Sequence, residues 1–283
     1  MGAHVRQIRR RIGNVRHVRQ ITKAMYTIAA TQVIQRKRAL AAARPFTEAA
    51  ESVLADLAVT AHREGVVHPL VHGVDWTGTA VLVISSDRGL CGRYVGDLNR
   101  AGTELARQKA EVRFFAGGDK AHRHFRRGPW PLAGSYVHAY DRPTVEVARR
   151  MRDDLLGLYG REIGEAYVVY TYFRGELAQQ VRAERLLPLD LPPGLPRDRL
   201  VEPDLGTALD ELANLYLTGR LLRVLLEAKA SELAVRRQAM KAATDNADDL
   251  LEKLTLRYNK ARQQRITTEL ADIMGGSEAL REE

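Results

Sequence analysis

The chain has 283 residues, 45% of them hydrophobic, a formal net charge of +9 and a single cysteine. That apolar content excludes wholesale disorder, one cysteine excludes an internal disulfide framework and fits a reducing compartment, and no apolar run approaches the roughly 18 residues of a membrane span. The basic start, MGAHVRQIRRRIG, has no apolar stretch after it and predicts neither a secretory signal nor an anchor.

The first predicted element is a long helix over residues 1–62. From Ile8, apolar residues fall at Ile12, Val15, Val18, Ile21 or Thr22, Met25 and Ile28, steps of three and four that form one helical stripe. Pro45 is the first interruption, a possible kink, and FTEAAESVLADLAVTAH then resumes the pattern. Residues 1–44 hold eleven Lys or Arg (Arg6, Arg9, Arg10, Arg11, Arg16, Arg19, Lys23, Arg36, Lys37, Arg38, Arg44) and no Asp or Glu. Something acidic should lie nearby: nucleic acid or an acidic protein surface, with a merely solvated helix face as the bland alternative.

Between residues 76 and 190 the period changes. TAVLVISS, EVRFFAG, GSYVHAY and AYVVYTYF read as strands, with helices over 93–110, 118–127 and 144–160 between them, which is the alternation of an open, Rossmann-like α/β sheet. AQQVRAERLLPL follows closely enough to be a fifth, antiparallel strand, and residues 191–206 form a proline-rich linker. No proline occurs after Pro203, so a second long helix is predicted over 207–276. In it Leu226, Leu233, Met240, Ala247, Leu254 and Ala261 stand seven apart, with Ala230, Thr244, Leu251 and Tyr258 four behind their seam partners and Arg237 as a polar interruption, a coiled-coil seam. A helix of that length spans roughly 100 Å at about 1.5 Å per residue. It must pair with the N-terminal helix, enter a partner, or both. Small and polar seam residues in MKAATDNADD suit a surface that does not lock permanently.

The stretch AVLVISSDRGLCGRY, residues 80–94, places the only cysteine in a glycine-flanked turn after a strand, where α/β hydrolases present a nucleophile. A catalytic thiol needs a lowered pKa or a neighbouring base. His68, His72, His122 and His124 offer no recognisable spacing to Cys91, and Arg93 stands where the second glycine of the elbow belongs. Phosphate loops, dinucleotide fingerprints, His-Glu-x-x-His and Cys-x-x-Cys are all missing, and AGGDKAHRH reads as a glycine turn with surface histidines rather than a metal site.

Five segments carry a resemblance: QITKAMYTIAATQV (20–33), SSDRGLCG (85–92), LLPL (186–189), EPD (202–204) and above all AMKAATDNADDLLEKLTLRYNKARQQRITTELADI (239–273). In this order they resemble the gamma subunits of F-type ATP synthases, over residues from about 4 to 280. That resemblance implies a long antiparallel coiled coil of the N- and C-terminal helices with an inserted α/β domain, working as a central rotor stalk. The implied partners are the alpha and beta subunits around the coil and the epsilon subunit and c-ring beside the α/β domain. It also implies a subunit that is not itself catalytic, without cofactor or metal, without nucleic acid, and joined to the cytoplasmic face of a bacterial plasma membrane only through its complex.

Residue by residue, the resemblance makes Asp87, Arg88, Gly89, Cys91 and Gly92 a non-catalytic structural turn. It places Arg236, Arg262, Gln263 and Thr267 where beta-subunit loops are hydrogen-bonded, and Lys23 and Met25 where an acidic beta-subunit lever approaches. Arg93 and Tyr94 replace a glycine and an asparagine that often follow the turn, MYTIAATQV departs from the commoner basic-and-serine version, and the regulatory cysteine insertion of chloroplast relatives is missing. A cysteine hydrolase lacks its base here, and a nucleic-acid-binding coiled coil lacks a reading motif.

Overall fold

A computed structural model describes residues 2–139, 141–195 and 201–279. In chain order the elements are α1 (Gly2–Arg63), α2 (Pro69–His72), β1 (Thr79–Ile84), α3 (Tyr94–Arg107), β2 (Val112–Gly117), α4 (Asp119–Phe125), β3 (Leu132–Tyr136), α5 (Val145–Leu158), β4 (Glu165–Phe173), β5 (Gln179–Leu187) and α6 (Leu205–Ala279). They fall into two compact units: Met1–Ala29 with Arg237–Glu283, and Ala30–Arg236.

In the larger unit the strands lie in the order β3-β2-β1-β4-β5, with β1 to β4 parallel and β5 antiparallel to β4. Every residue of β1, TAVLVI, is buried, as a central strand covered on both faces requires. Side chains alternate along it. Leu82 and Ile84 join Leu54 and Ala61 of α1, Met151 and Leu155 of α5 and Leu217 and Leu221 of α6 in one core. Val81 and Val83 join Leu98 of α3, Phe125 of α4, Tyr94 and Cys91 in the other. The sheet thus carries α3 and α4 on one face and α1, α5 and α6 on the other.

In both units α1 and α6 run antiparallel. In the smaller one, the hydroxyls of Thr22 and Thr244 meet at 2.9 Å and Arg19 pairs with Asp248 one turn further along. In the larger one, Val33 packs on Leu233 and Ala234, and the Tyr216 hydroxyl donates to Glu51 at 2.7 Å. Leu226, Leu233, Met240, Ala247 and Leu254, the predicted seven-residue seam of α6, are all buried. The stripe expected on α1 packs only in part, through Ile12 and Thr22. Val5, Ile12, Thr22, Ala29, Val33 and Leu40 are buried, whereas Val18, Ile21 and Ile28 are 53%, 60% and 57% exposed. Val5, Ile12, Val33 and Leu40 fit one seven-residue repeat matching that of α6; the other three residues belong to a second apolar face.

Other differences are small. α1 stays helical through Pro45 without a break, and α6 runs three residues past the expected end, to Ala279. The third strand begins at Leu132 and ends at Tyr136, because the His138 N–H turns away to donate to Asp87 at 2.9 Å. Tyr140, the last residue of the expected strand, lies outside the described residues.

Candidate functional site: a closed crevice and an open coil end

The turn after β1 is a tie between three strand ends. The Asp87 side chain is fully buried, and its Oδ1 accepts the N–H groups of Asp119, at the start of α4, and His138, beyond β3, both at 2.9 Å. One carboxylate therefore fixes the carboxyl ends of β1, β2 and β3. Gly118 is obligatory beside it: its φ is +95°, and a Cβ there would lie 2.9 Å from the Ser86 carbonyl carbon. Ser86 Oγ donates to the Arg88 carbonyl at 2.8 Å, closing the turn on itself. Cys91 is buried, and burial pushes its thiol up from the ordinary value, opposite to what an activated nucleophile needs. Of the five expected turn residues, Asp87, the Arg88 carbonyl and buried Cys91 take part in these contacts.

In open α/β sheets, ligands bind outside the carboxyl ends of the strands where the strand order reverses. Here that point lies between β1 and β4, and α6 occupies it. The Tyr94 hydroxyl donates to the Ala228 carbonyl at 2.9 Å, and Ser231 Oγ donates to the Thr171 carbonyl at 3.0 Å. A chain of charges follows along the helix. Lys229 Nζ lies 2.6 Å from Asp141 Oδ1 and 3.1 Å from Glu232, Glu232 lies 2.5 Å from Arg236, and Arg236 donates to the Gly89 carbonyl at 3.3 Å. Burial works against ionisation of Asp141, yet the hydrogen bond and charge of Lys229, with Arg88 and His138, hold its carboxyl below the usual range. Asp87, His138 and Asp141 have ligand atoms within 4.8 Å of one another, a set that could meet a divalent ion. The Lys229 ammonium already supplies positive charge to that group.

Arg236 is thus engaged with Glu232 and the turn. Lys229 and Glu232 escaped the sequence reading, although charges three and four apart inside the apolar run LLEAKASELAVR were the available signal, and Asp141, 88 positions from Lys229, had none.

The other predicted residues lie on the smaller unit. Lys23 is exposed and Met25 half-buried on α1; Arg262, Gln263 and Thr267 are exposed on α6. Gln263 and Thr267 line one cleft of about 810 Å³ with His4, Val5 and Lys260, and Arg262 flanks it without lining it. Thr267 Oγ1 donates to the Gln263 carbonyl at 3.1 Å, so the hydroxyl oxygen remains an acceptor. An adjoining cleft gathers Arg11, Arg257 and Lys260 and contains no carboxylate. Lys23 and Met25 are not part of this group. The register of Thr22 against Thr244 puts them about 27 Å away along the coil, at about 1.5 Å for each residue from 244 to 262.

The family model described as ATP synthase matches residues 4–280. The ATP synthase gamma chain of Desulfitobacterium hafniense is 37% identical over 281 residues, covering 98% of this chain and 99% of that one. The gamma chain of Halothermothrix orenii is 36% identical over 285 residues, with the same coverage. Among solved structures, the fold is similar to a chain of the Euglena gracilis mitochondrial ATP synthase (OSCP/F1/c-ring, rotational state 3), with a TM-score of 0.70 at 17% identity over 99% of this chain and 95% of that one. It is also similar to a chain of the Tetrahymena thermophila mitochondrial ATP synthase central stalk/c-ring, with a TM-score of 0.65 at 23% identity over 79% and 99%. The chain belongs to the ATP synthase gamma-chain family.

Proposed function

We propose that this chain is the non-catalytic central rotor stalk of an F-type ATP synthase, coupling proton-driven rotation of a c-ring to ATP synthesis or hydrolysis in a ring of alpha and beta subunits. It reaches the cytoplasmic face of a bacterial plasma membrane through the complex, with the epsilon subunit as a further partner; no described helix is long and apolar enough to cross a membrane. The observation that carries this reading is the coil's outer surface. Val18, Ile21, Ile28, Leu256, Leu270 and Ile273 all remain at least half exposed on a pair of helices whose seam is already filled. Apolar surface of that kind marks contact with another protein. The closed crevice at the sheet's carboxyl edge favours a non-catalytic role.

In this mechanism the two-helix rod presents a different face in each direction. Turning it by a third of a revolution exchanges the faces met by three beta subunits, and only the difference in contact free energy between states drives or reports a change. Arg262, Gln263 and Thr267 grip a beta-subunit loop, the cations Arg11, Arg257 and Lys260 favour an acidic one, and Lys23 and Met25 meet the acidic lever. Arg236 serves the same end from within, holding α6 to the turn at Gly89.

The test is reconstitution with purified alpha and beta subunits. Stoichiometric co-elution on gel filtration, followed by ATP-driven proton pumping once the complex is rejoined to its membrane sector, is the expected result. Failure to co-elute, together with salt-sensitive DNA binding, would instead favour a nucleic-acid-binding coiled coil.

A further inference from the structure

The face of the sheet opposite α1, α5 and α6 carries a cleft that the stalk role does not use. α3 contributes Thr103 and Arg107, α4 contributes Arg123 and His124, and the segment after it contributes Arg127 and Trp130, around a space of about 440 Å³. Its floor is aromatic. Phe125 stacks on Phe114 with 4.0 Å between ring centres, and Trp130 meets Phe114 edge-on at 5.7 Å. His124 stands edge-on to Phe125, and its Nε2 lies 3.5 Å from Thr103 Oγ1.

The charges around this floor are one-sided. No lining residue is acidic, and residues 120–127, KAHRHFRR, contain no carboxylate. Arg123 is paired with Asp119 at 2.8 Å, but Arg107 and Arg127, both exposed, make no ion pair among the described residues. Two uncompensated guanidinium forks beside an imidazole present the planar, charge-assisted donors that recognise phosphate oxygens. The indole and phenyl rings beneath them suit an apolar or planar body attached to that phosphate.

We propose that this cleft is a binding site for a phosphate group carried on an apolar or planar body, supplied either by a soluble phosphorylated molecule or by the headgroup of an anionic lipid. Arg107 and Arg127 hold the phosphate, and Trp130 contacts the body. The site stands on the far face from the crevice that α6 fills, and it does not depend on the stalk reading.

Trp130 is its own reporter, since the chain has only one other tryptophan, Trp76. The full chain carrying Trp76→Phe is titrated with phenyl phosphate, and separately with phosphatidylcholine vesicles with and without phosphatidylglycerol. A saturable change in Trp130 emission with phenyl phosphate identifies a soluble source. A change only with phosphatidylglycerol vesicles identifies a lipid source. In either case, Arg107→Gln with Arg127→Gln weakens binding at least about tenfold, the size expected from lost charge-assisted hydrogen bonds. The double lysine variant, which keeps the charge and loses the fork, weakens it less. The control pair Arg63→Gln with Arg149→Gln removes the same charge elsewhere and leaves binding unchanged. No emission change with either probe, or equal weakening by the control pair, overturns the site.

Discussion

The two units differ in how much apolar surface they bury, not in whether they expose any. In Ala30–Arg236, β1 is buried on both faces and even the charges inside are paired, with Glu232 held between Lys229 and Arg236. In the smaller unit only a narrow seam is covered, and large apolar side chains such as Ile21 and Leu256 face outward. The larger unit builds a two-sided core and still leaves side chains such as Phe46 and Leu177 outside, whereas the smaller unit has no core beyond its seam among the described residues. Loss of stability and loss of function should therefore separate by location.

The largest effect belongs to the buried charges. Glu232→Ala leaves Lys229 and Arg236 without their shared carboxylate, and breaking a buried pair costs about 3–5 kcal/mol, to be read in denaturant unfolding of the full chain. Leu254→Ala, in the coil seam, should cost less, about 2 kcal/mol, the low end for a buried leucine, because a two-helix seam collapses more easily than a sheet core. Equal losses at the two sites would erase the contrast.

Function should follow the reverse pattern. Gln263→Ala with Thr267→Ala is expected to leave assembly and melting intact while cutting ATP turnover and ATP-driven pumping at least about tenfold, or about 1.4 kcal/mol of transition-state stabilisation. Normal turnover in this double variant would move the grip to the basic N-terminal segment.

Acid gives a finer probe of the larger unit. Because the folded pKa of Asp141 is depressed, its contribution is fully present above the unfolded value of about 3.9 and is lost as pH falls through the lower folded value. Asp141→Asn should flatten that part of the stability–pH curve; an unchanged acid limb would mean that the Lys229 pair contributes nothing. The smallest effect is expected at Cys91. Cys91→Ser should leave turnover of the reassembled complex nearly unchanged, whereas lost turnover with intact assembly would return the thiol to candidacy as a nucleophile.

How much was legible differs by the range of the interaction involved. The α6 seam could be read because seven-residue spacing is a local property, and Leu226 to Leu254 are buried as that spacing requires. On α1 the same logic found Ile12 and Thr22 but merged two stripes: Val18, Ile21 and Ile28 are as apolar as Ile12, and periodicity alone does not say which of two stripes meets its own chain. The α/β alternation and the antiparallel fifth strand were visible from runs of β-branched and aromatic residues. Asp87 could be suspected of holding its turn, but its two donors come from residues 32 and 51 positions away. The bond from Arg236 to the Gly89 carbonyl spans 147 positions, beyond any local pattern.

The helix lodged at the carboxyl edge of the sheet has a further consequence. Segment 224–236 behaves as a ligand covalently tethered to its own receptor, and a tether holds its cargo at an effective concentration on the order of millimolar or more. A diffusing molecule must compete with that effective concentration to enter this fold's usual ligand crevice. The same helix also carries Leu209, Leu217 and Leu221 into the core, so the segment that fills the crevice cannot be removed without opening the core beside it.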